Sequence, residues 1–147
     1  MKISQAGIDL IKGFESLQLD AYKCPAGVWT IGWGHTRGVE FGMHISEQQA
    51  EEFLAQDIAE VERDLPAVFH VNLTQGQWDA LVSLSFNLCG GAARLPQTCP
   101  HLVANVNNGK FAEAARQFLN INHAANGKVL PGLTRRREAE RRLFLAT

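Results

Sequence analysis

Three side chains near the start of the chain could together carry out acid–base chemistry. Glu15 lies between Phe14 and Leu17 at the end of an amphipathic run, where apolar neighbours would partly enclose its carboxyl group. Such enclosure favours the protonated form of a carboxyl group, which can then donate its proton to a leaving group. Cys24 follows nine residues later, and Thr30 six residues after that. An exposed glutamate at a helix end is the simpler interpretation when Glu15 is considered alone.

The segment that contains Thr30 has the alternating pattern of a β-strand. In the run VWTIGWGH, the side chains of Trp29, Ile31 and Trp33 would share one face of the strand. Thr30 would share the other face with glycines, so that face is nearly bare and suits the close approach of a ligand. The alternative is that the glycines only bend a hairpin.

The spacing of Glu15, Cys24 and Thr30, with GVWTIGWGHT at residues 27–36, resembles the phage-type lysozymes, the muramidase endolysins of bacteriophages and prophages. In that family the position of Cys24 is Asp in some members and Cys in others. Further matches lie downstream: SFN at 85–87, QFL at 117–119 and GKVLPGLTRRREAERRLF at 127–144. The resemblance therefore covers almost the whole chain, although the family's Trp after QFL is replaced here by Asn120.

The resemblance implies an α+β, lysozyme-like fold that is mostly helical. A small antiparallel β-sheet lobe would be joined by a long helix to a larger helical lobe within one catalytic domain, residues 1–147. The expected parts are a small lobe at about 16–45, a bridging helix at about 46–65, and a helical lobe at about 66–147 packed with helix 4–14.

Local signals predict the same helices. Capping boxes at Ser46 and Thr74 each begin an apolar periodic run. The first run ends at Pro66, and the second is apolar nearly all round, which is typical of a core helix. The remaining expectations are a loop over 90–100, helices over 101–107 and 111–119, and a final helix capped by Thr134.

The resemblance also implies a reaction, the hydrolysis of the β-1,4 bond between N-acetylmuramic acid and N-acetylglucosamine in peptidoglycan. Glu15 would be the general acid, and Cys24 and Thr30 would place the attacking water, with inversion as the expected outcome. Three roles remain open for Cys24: base, nucleophile, or a small residue tolerated near the site. A thiol is a poorer base than a carboxylate at neutral pH because it is mostly protonated there.

Other residues are assigned to substrate binding by the same resemblance. His35, Thr36, Phe86 and Asn87 would contact sugar or peptide, and Arg136 would form a supporting ion pair with the catalytic carboxylate. His35 also fits a buried, hydrogen-bonded structural histidine.

Composition limits the other classes of function. The chain has 147 residues, which fits one domain, and its net charge of -1 does not support a general affinity for nucleic acid. Cys24, Cys89 and Cys99 are an odd number without metal-ligand spacing, so neither a metal nor a cofactor is expected, although Cys89 and Cys99 could pair. The arginine-rich run at 135–142 predicts a solvated helix face, or a basic face that meets an anionic wall.

The expected location follows from apolar content and from the resemblance. No apolar stretch approaches the roughly 20 residues that span a bilayer, and the segment MKISQAGIDL has no signal-peptide pattern. We therefore expect a monomer without stable membrane insertion. It would stay in the host cytoplasm until a separate holin releases it, and would act on peptidoglycan in the periplasm.

Two competing functions remain open at this stage. A lytic transglycosylase on the same fold would need the acid but no water-placing partner. A wall-binding module that has lost activity would need neither, and the complete set of Glu15, Cys24 and Thr30 argues against it.

Overall fold

The computed structural model describes residues 1–88, 90–123 and 127–146. These residues form a mostly helical α+β fold, as predicted, with one two-stranded antiparallel sheet. The elements in chain order are α1 (Gln5–Glu15), β1 (Gln18–Lys23), β2 (Trp29–Gly32), α2 (Glu47–Asp64), α3 (Gln75–Asn87), α4 (Leu95–Thr98), α5 (Pro100–Asn107), α6 (Phe111–Phe118) and α7 (Pro131–Leu145). Short 3-10 helices occupy Leu65–Ala67 and Ala92–Arg94.

The chain divides into two compact units. The hairpin unit is Ile11–Glu60, and the helical unit combines Met1–Leu10 with Val61–Thr147. The boundary between them falls inside α1 and inside α2. The division into lobes that was expected from the sequence stays a prediction.

The hairpin unit is built on the antiparallel pairing of β1 with β2. Tyr22 pairs with Thr30 and Lys23 with Trp29, and the register is irregular nearer the start of β1. The capping box predicted at Ser46 is confirmed, because Ser46 Oγ accepts from the N–H of Gln49 at 3.1 Å and the Gln49 side chain accepts from the N–H of Ser46 at 2.9 Å. The apolar core of this unit includes Ile11, Ile31, Trp33, Val39, Ile45, Ala50, Leu54 and Ile58.

The helical unit is organised around α3. The capping box predicted at Thr74 is confirmed, since its side chain and that of Gln77 bond reciprocally to backbone N–H groups. Residues 77–85 are all buried, as expected for a helix that is apolar nearly all round. Helix α7 packs against α3 and α6, so that the last helix closes this core.

Two predictions about helix limits are wrong. Residues 90–100 are not a loop, because a 3-10 turn and α4 fill most of this segment. Helix α7 begins at Pro131, and Thr134 does not cap it: the Thr134 hydroxyl accepts from Asn122 Nδ2 at 3.1 Å instead. Helices α4 and α7 each have a proline in the first turn, where the backbone N–H that proline lacks would have no partner within the helix.

Within the described residues, no helix has the length and apolar character needed to cross a membrane. The same part of the chain contains no cluster of three His, Cys, Asp or Glu side chains that could hold a metal ion.

Candidate active site

Glu15 ends α1, and its carboxylate lies against a glycine of the hairpin. Ser16 adopts a left-handed conformation (φ 53°) and turns the chain out of the helix. A Cβ atom placed on Gly34 would lie only 2.6 Å from Glu15 Oε2 and 3.1 Å from its carboxyl carbon. A side chain at position 34 would therefore displace this carboxylate from its position. Phe14 is 38 % exposed, so the apolar enclosure expected from the sequence is incomplete on that side.

A tight hairpin places Gly34 opposite the end of α1. Ile31 and His35 exchange two backbone hydrogen bonds of 2.9 Å, and the intervening Gly32 and Gly34 have φ values of 66° and 77°. These left-handed conformations are ones that glycine adopts readily. The prediction that the Thr30 face is bare is wrong, because Thr30 is only 4 % exposed and a Cβ on Gly32 would contact α2. The alternation fails here because Gly32 turns the strand.

Cys24 and Thr30 come together at the turn between the two strands. The pKa of the Cys24 thiol is lowered, mainly by a hydrogen bond from the backbone N–H of Val28. The N–H groups of Ala26 and Gly27 and the hydroxyl of Thr30 lower this pKa further by smaller amounts. Burial of the thiol opposes these effects. The Thr30 hydroxyl also lies 3.0 Å from the carbonyl oxygen of Val28, to which it can donate. The turn thus favours the thiolate form of a half-buried cysteine.

His35 is held as a structural histidine would be. Its ring is buried and stacks on Phe53 with centroids 4.2 Å apart, and Nδ1 lies 2.8 Å from Asp57 Oδ2. Burial raises the pKa of Asp57, and the hydrogen bond to His35 opposes that rise. This geometry favours the structural interpretation, whereas a direct contact of His35 with substrate stays a prediction. Thr36 follows at an exposed position, and its substrate contact also stays a prediction.

The other predicted binding residues belong to the helical unit. Phe86 and Asn87 end α3 and are both half-buried. Asn87 Oδ1 accepts a hydrogen bond from Nη2 of Arg137, which fixes its side-chain amide. Contacts of Phe86 and Asn87 with substrate remain predictions.

A buried ionic network joins α7 to α3 and was missed from the sequence. Glu140 is 0 % exposed and accepts hydrogen bonds from Ser83 Oγ (2.5 Å), Arg136 Nε (3.4 Å) and Arg137 Nη1. Burial lowers the pKa of Arg137, and Glu140 opposes that effect. The expectation of a solvated basic face is therefore wrong for Arg136 and Arg137. Their spacing of four and three residues from Glu140 was the available signal.

Arg136 also donates from Nη2 to the backbone carbonyl of Ser83 at 3.1 Å. This contact and the bond to Glu140 anchor its guanidinium within the helical unit. Its expected role as an ion-pair partner of the catalytic carboxylate stays a prediction.

The cysteines other than Cys24 are remote from this chemistry in sequence. Cys99 carries a free, buried thiol whose pKa is raised by burial. Cys89, which was considered as its disulfide partner, lies outside the described residues.

Comparison with known proteins gives one consistent result. A family model described as phage lysozyme matches residues 12–140. The chain is 45 % identical over 147 residues to the endolysin of Acyrthosiphon pisum secondary endosymbiont phage 1, covering 98 % of both chains, and 37 % identical to that of Salmonella phage P22, covering 99 % of both. Its structure is similar to the muramidase domain of SpmX from Asticaccaulis excentricus, with a TM-score of 0.88, 39 % identity and 99 % coverage of both chains. The lysozyme-like fold is thereby confirmed, and the chain belongs to the phage lysozyme family.

Proposed function

We propose that this protein is an endolysin-type muramidase that hydrolyses the β-1,4 bond between N-acetylmuramic acid and N-acetylglucosamine in peptidoglycan and so lyses the host cell. Membership of the phage lysozyme family implies a glycosidase-type enzyme. The observation that carries the finer proposal is the arrangement of the hairpin unit: the Glu15 carboxylate lies against Gly34, and the same hairpin holds Cys24 beside Thr30.

Glu15 supplies the general acid in this proposal. As the bond between C1 of the muramic acid and O4 of the glucosamine breaks, the Glu15 proton moves to O4 and the electron pair of the bond stays on that oxygen. Because Gly34 has no side chain, the carboxyl group reaches its position without steric conflict, and Glu15 keeps part of its surface exposed to solvent.

Cys24 and Thr30 place and activate the water. The water oxygen forms a bond to C1 on the face opposite the leaving group, and its proton moves to the Cys24 thiolate, so the anomeric configuration inverts. The lowered pKa of Cys24 supports this role because more of the thiol is ionised near neutral pH. Since Thr30 is buried, we assign it to hold Cys24 rather than to contact the sugar directly.

The competing functions make different products from the same substrate. A lytic transglycosylase forms an anhydro ring from the muramic acid's own hydroxyl and needs no attacking water. In that reaction the Cys24–Thr30 pair would have no water to place or activate. An inactive wall-binding module would release no fragments at all.

Mass spectrometry of digested peptidoglycan tests the proposal. Purified protein is incubated with insoluble peptidoglycan, and the released fragments are analysed beside a Glu15→Gln control. We expect fragments that end in a reducing N-acetylmuramic acid, with almost none from the control. Anhydro-muramic acid ends would show a transglycosylase, reducing glucosamine ends would show the wrong bond, and protein bound to the wall without fragments would show a binding module.

The cellular part of the proposal concerns release. The protein acts as a monomer on peptidoglycan in the periplasm, after a separate holin opens the way from the cytoplasm, and it needs neither a nucleic acid nor a cofactor. Induction of the protein with and without a co-expressed holin should give rapid lysis only with the holin. Equal lysis without it would contradict this route.

A further inference from the structure

Tyr22 lies beside the proposed catalytic pair of Cys24 and Thr30, and no role was predicted for it from the sequence. It pairs with Thr30 across the antiparallel strands. Side chains of directly paired residues project from the same face of a sheet, with their Cβ atoms about 5 Å apart. The ring of Tyr22 therefore stands next to Thr30, on the side of the hairpin where Thr30 meets Cys24.

The phenol also lies within the electrostatic field of two potentially anionic groups of the site. Burial raises the pKa of Tyr22, and the negative charges of Glu15 and Cys24 raise it further. The neighbouring charged groups of β1 have other partners. Asp20 lies 2.7 Å from His44 Nδ1, and Lys23 Nζ lies over the ring of Trp29 at 5.4 Å from its centroid.

We propose that Tyr22 is a substrate-contacting residue, whose hydroxyl donates a hydrogen bond to a hydroxyl or N-acetyl carbonyl group of the sugar at the scissile bond. This inference rests on the proposed function. A phenol suits the task because its ring packs beside the strand while its polar end stays available for hydrogen bonding. Its O–H group remains protonated throughout, so it binds and orients the sugar without exchanging a proton in the reaction.

The position of the phenol can be tested without any substrate. Tyr22 is the only tyrosine in the chain, so the ultraviolet absorbance of tyrosinate reports this residue alone. We expect its alkaline titration midpoint to fall in Glu15→Gln and in Cys24→Ser, because each change removes a negative charge that opposes ionisation. Asp20→Asn is the matched control on the same strand and should leave the midpoint unchanged.

Circular dichroism recorded in the same titration shows that the protein is still folded at the midpoint. A midpoint that is the same in wild type, Glu15→Gln and Cys24→Ser would overturn the placement of Tyr22 in the site. A fall in Asp20→Asn equal to that in the other two variants would overturn it as well.

The contact itself is tested with Tyr22→Phe, which keeps the ring and removes only the hydroxyl. Loss of one neutral hydrogen bond should lower kcat/KM on peptidoglycan about 10-fold, mostly through KM, with little change in Tm. Lys23→Gln, on the opposite face of the same strand, is the control and should keep wild-type kinetics. A Tyr22→Phe variant with unchanged kcat and KM would overturn the proposal.

Binding separates this inference from the proposed function. Calorimetry with the trimer of N-acetylglucosamine, in a Glu15→Gln background, should show about 10-fold weaker binding when Tyr22→Phe is added. If the wild type cleaved no muramic acid bond but Tyr22→Phe still weakened trimer binding, the reaction would be wrong and the sugar contact right. Equal trimer affinity with and without the hydroxyl would make the contact wrong whatever the reaction.

Discussion

Glu140 in the helical unit and Glu15 in the hairpin unit have contrasting surroundings. They differ in how deeply the carboxylate is buried and in which groups contact it. Glu140 in the helical unit is fully buried and accepts hydrogen bonds from Arg136, Arg137 and Ser83. Glu15 in the hairpin unit is half-buried and lies against the backbone of Gly34. The first carboxylate is enclosed by donors, whereas the second keeps part of its surface exposed.

This difference in burial predicts that Glu140 contributes to stability and Glu15 to the reaction. A buried carboxylate surrounded by charged donors cannot exchange a proton with a substrate, but its loss removes a negative charge that two buried guanidinium groups contact. A half-buried carboxylate beside bare backbone contributes less to packing and can be reached by a glycan. Changes at Glu15 and its neighbours should therefore affect the rate of hydrolysis, and changes at Glu140 should affect the free energy of unfolding.

The largest expected effect on activity is that of Glu15→Gln. The substitution keeps the shape of the side chain and removes the proton donor, so lytic activity should fall by about 100-fold or more while Tm stays near the wild-type value. Turbidity loss of permeabilised Gram-negative cells and thermal unfolding measure the two quantities. A variant that lysed cells at nearly the wild-type rate would sink the general-acid assignment.

Cys24 tests which group activates the water. Cys24→Ala should reduce the rate by about 100-fold, whereas Cys24→Asp should keep much of the activity because a carboxylate can also accept the proton. A base must be ionised to act, so activity should rise with pH through the pKa of Cys24, which is lowered from its ordinary value of 9.0. In Cys24→Asp that rise should move toward about pH 4.

The pH–rate profiles of wild type and Cys24→Asp decide this point. If the ascending limb did not move, Cys24 would not be the base. If Cys24→Ala lysed cells as well as the wild type, the residue would only be tolerated near the site.

Gly34→Ala probes the close approach to Glu15. The added methyl group would collide with the carboxylate, so activity should fall by roughly 10-fold to 100-fold from the misplaced acid. Gly38→Ala is the matched control, because Gly38 also has a left-handed conformation (φ 71°) but an added Cβ would meet nothing within 4 Å. Alanine is strained in the left-handed conformation at both positions, and only position 34 adds a clash with Glu15. Equal activity losses in the two variants would therefore show that the clash with Glu15 is not the cause.

Glu140→Gln should have the smallest effect on activity and the largest on stability. We expect a loss of about 3 kcal/mol in the free energy of unfolding, since two buried guanidinium groups lose their carboxylate. The folded fraction should keep most of its activity at low temperature. Urea unfolding measures the loss, with the exposed Glu138→Gln on the same helix as control. An inactive Glu140→Gln variant with wild-type stability would contradict the assignment of Glu140 to stability.

In both units, local patterns could be predicted from the sequence and contacts between distant residues could not. The capping boxes at Ser46 and Thr74 and the hairpin strands are local patterns, and each is found where the local rule places it. The network around Glu140 depends on Ser83, 57 residues away along the chain, which no local pattern reveals.

The hairpin shows the same limit at shorter range. Alternation predicted a bare face at Thr30, but it could not anticipate that Gly32 turns the strand and brings α2 against it. The spacing of Glu15 and Gly34 likewise gives no sign of their contact, because helix α1 and the hairpin meet only in the folded unit. Helix caps and strands were thus easier to predict than the contacts between elements that surround Glu15 and Thr30.

The stereochemistry of the new reducing end tests the proposed mechanism most directly. Proton NMR of a soluble glycan fragment, recorded early in the reaction before the anomers equilibrate, shows which anomer of N-acetylmuramic acid forms first. Direct attack by water held at Cys24 predicts the α-anomer, with no signal from Glu15→Gln. Initial appearance of the β-anomer would show net retention, and would contradict the assignment of Cys24 as the base.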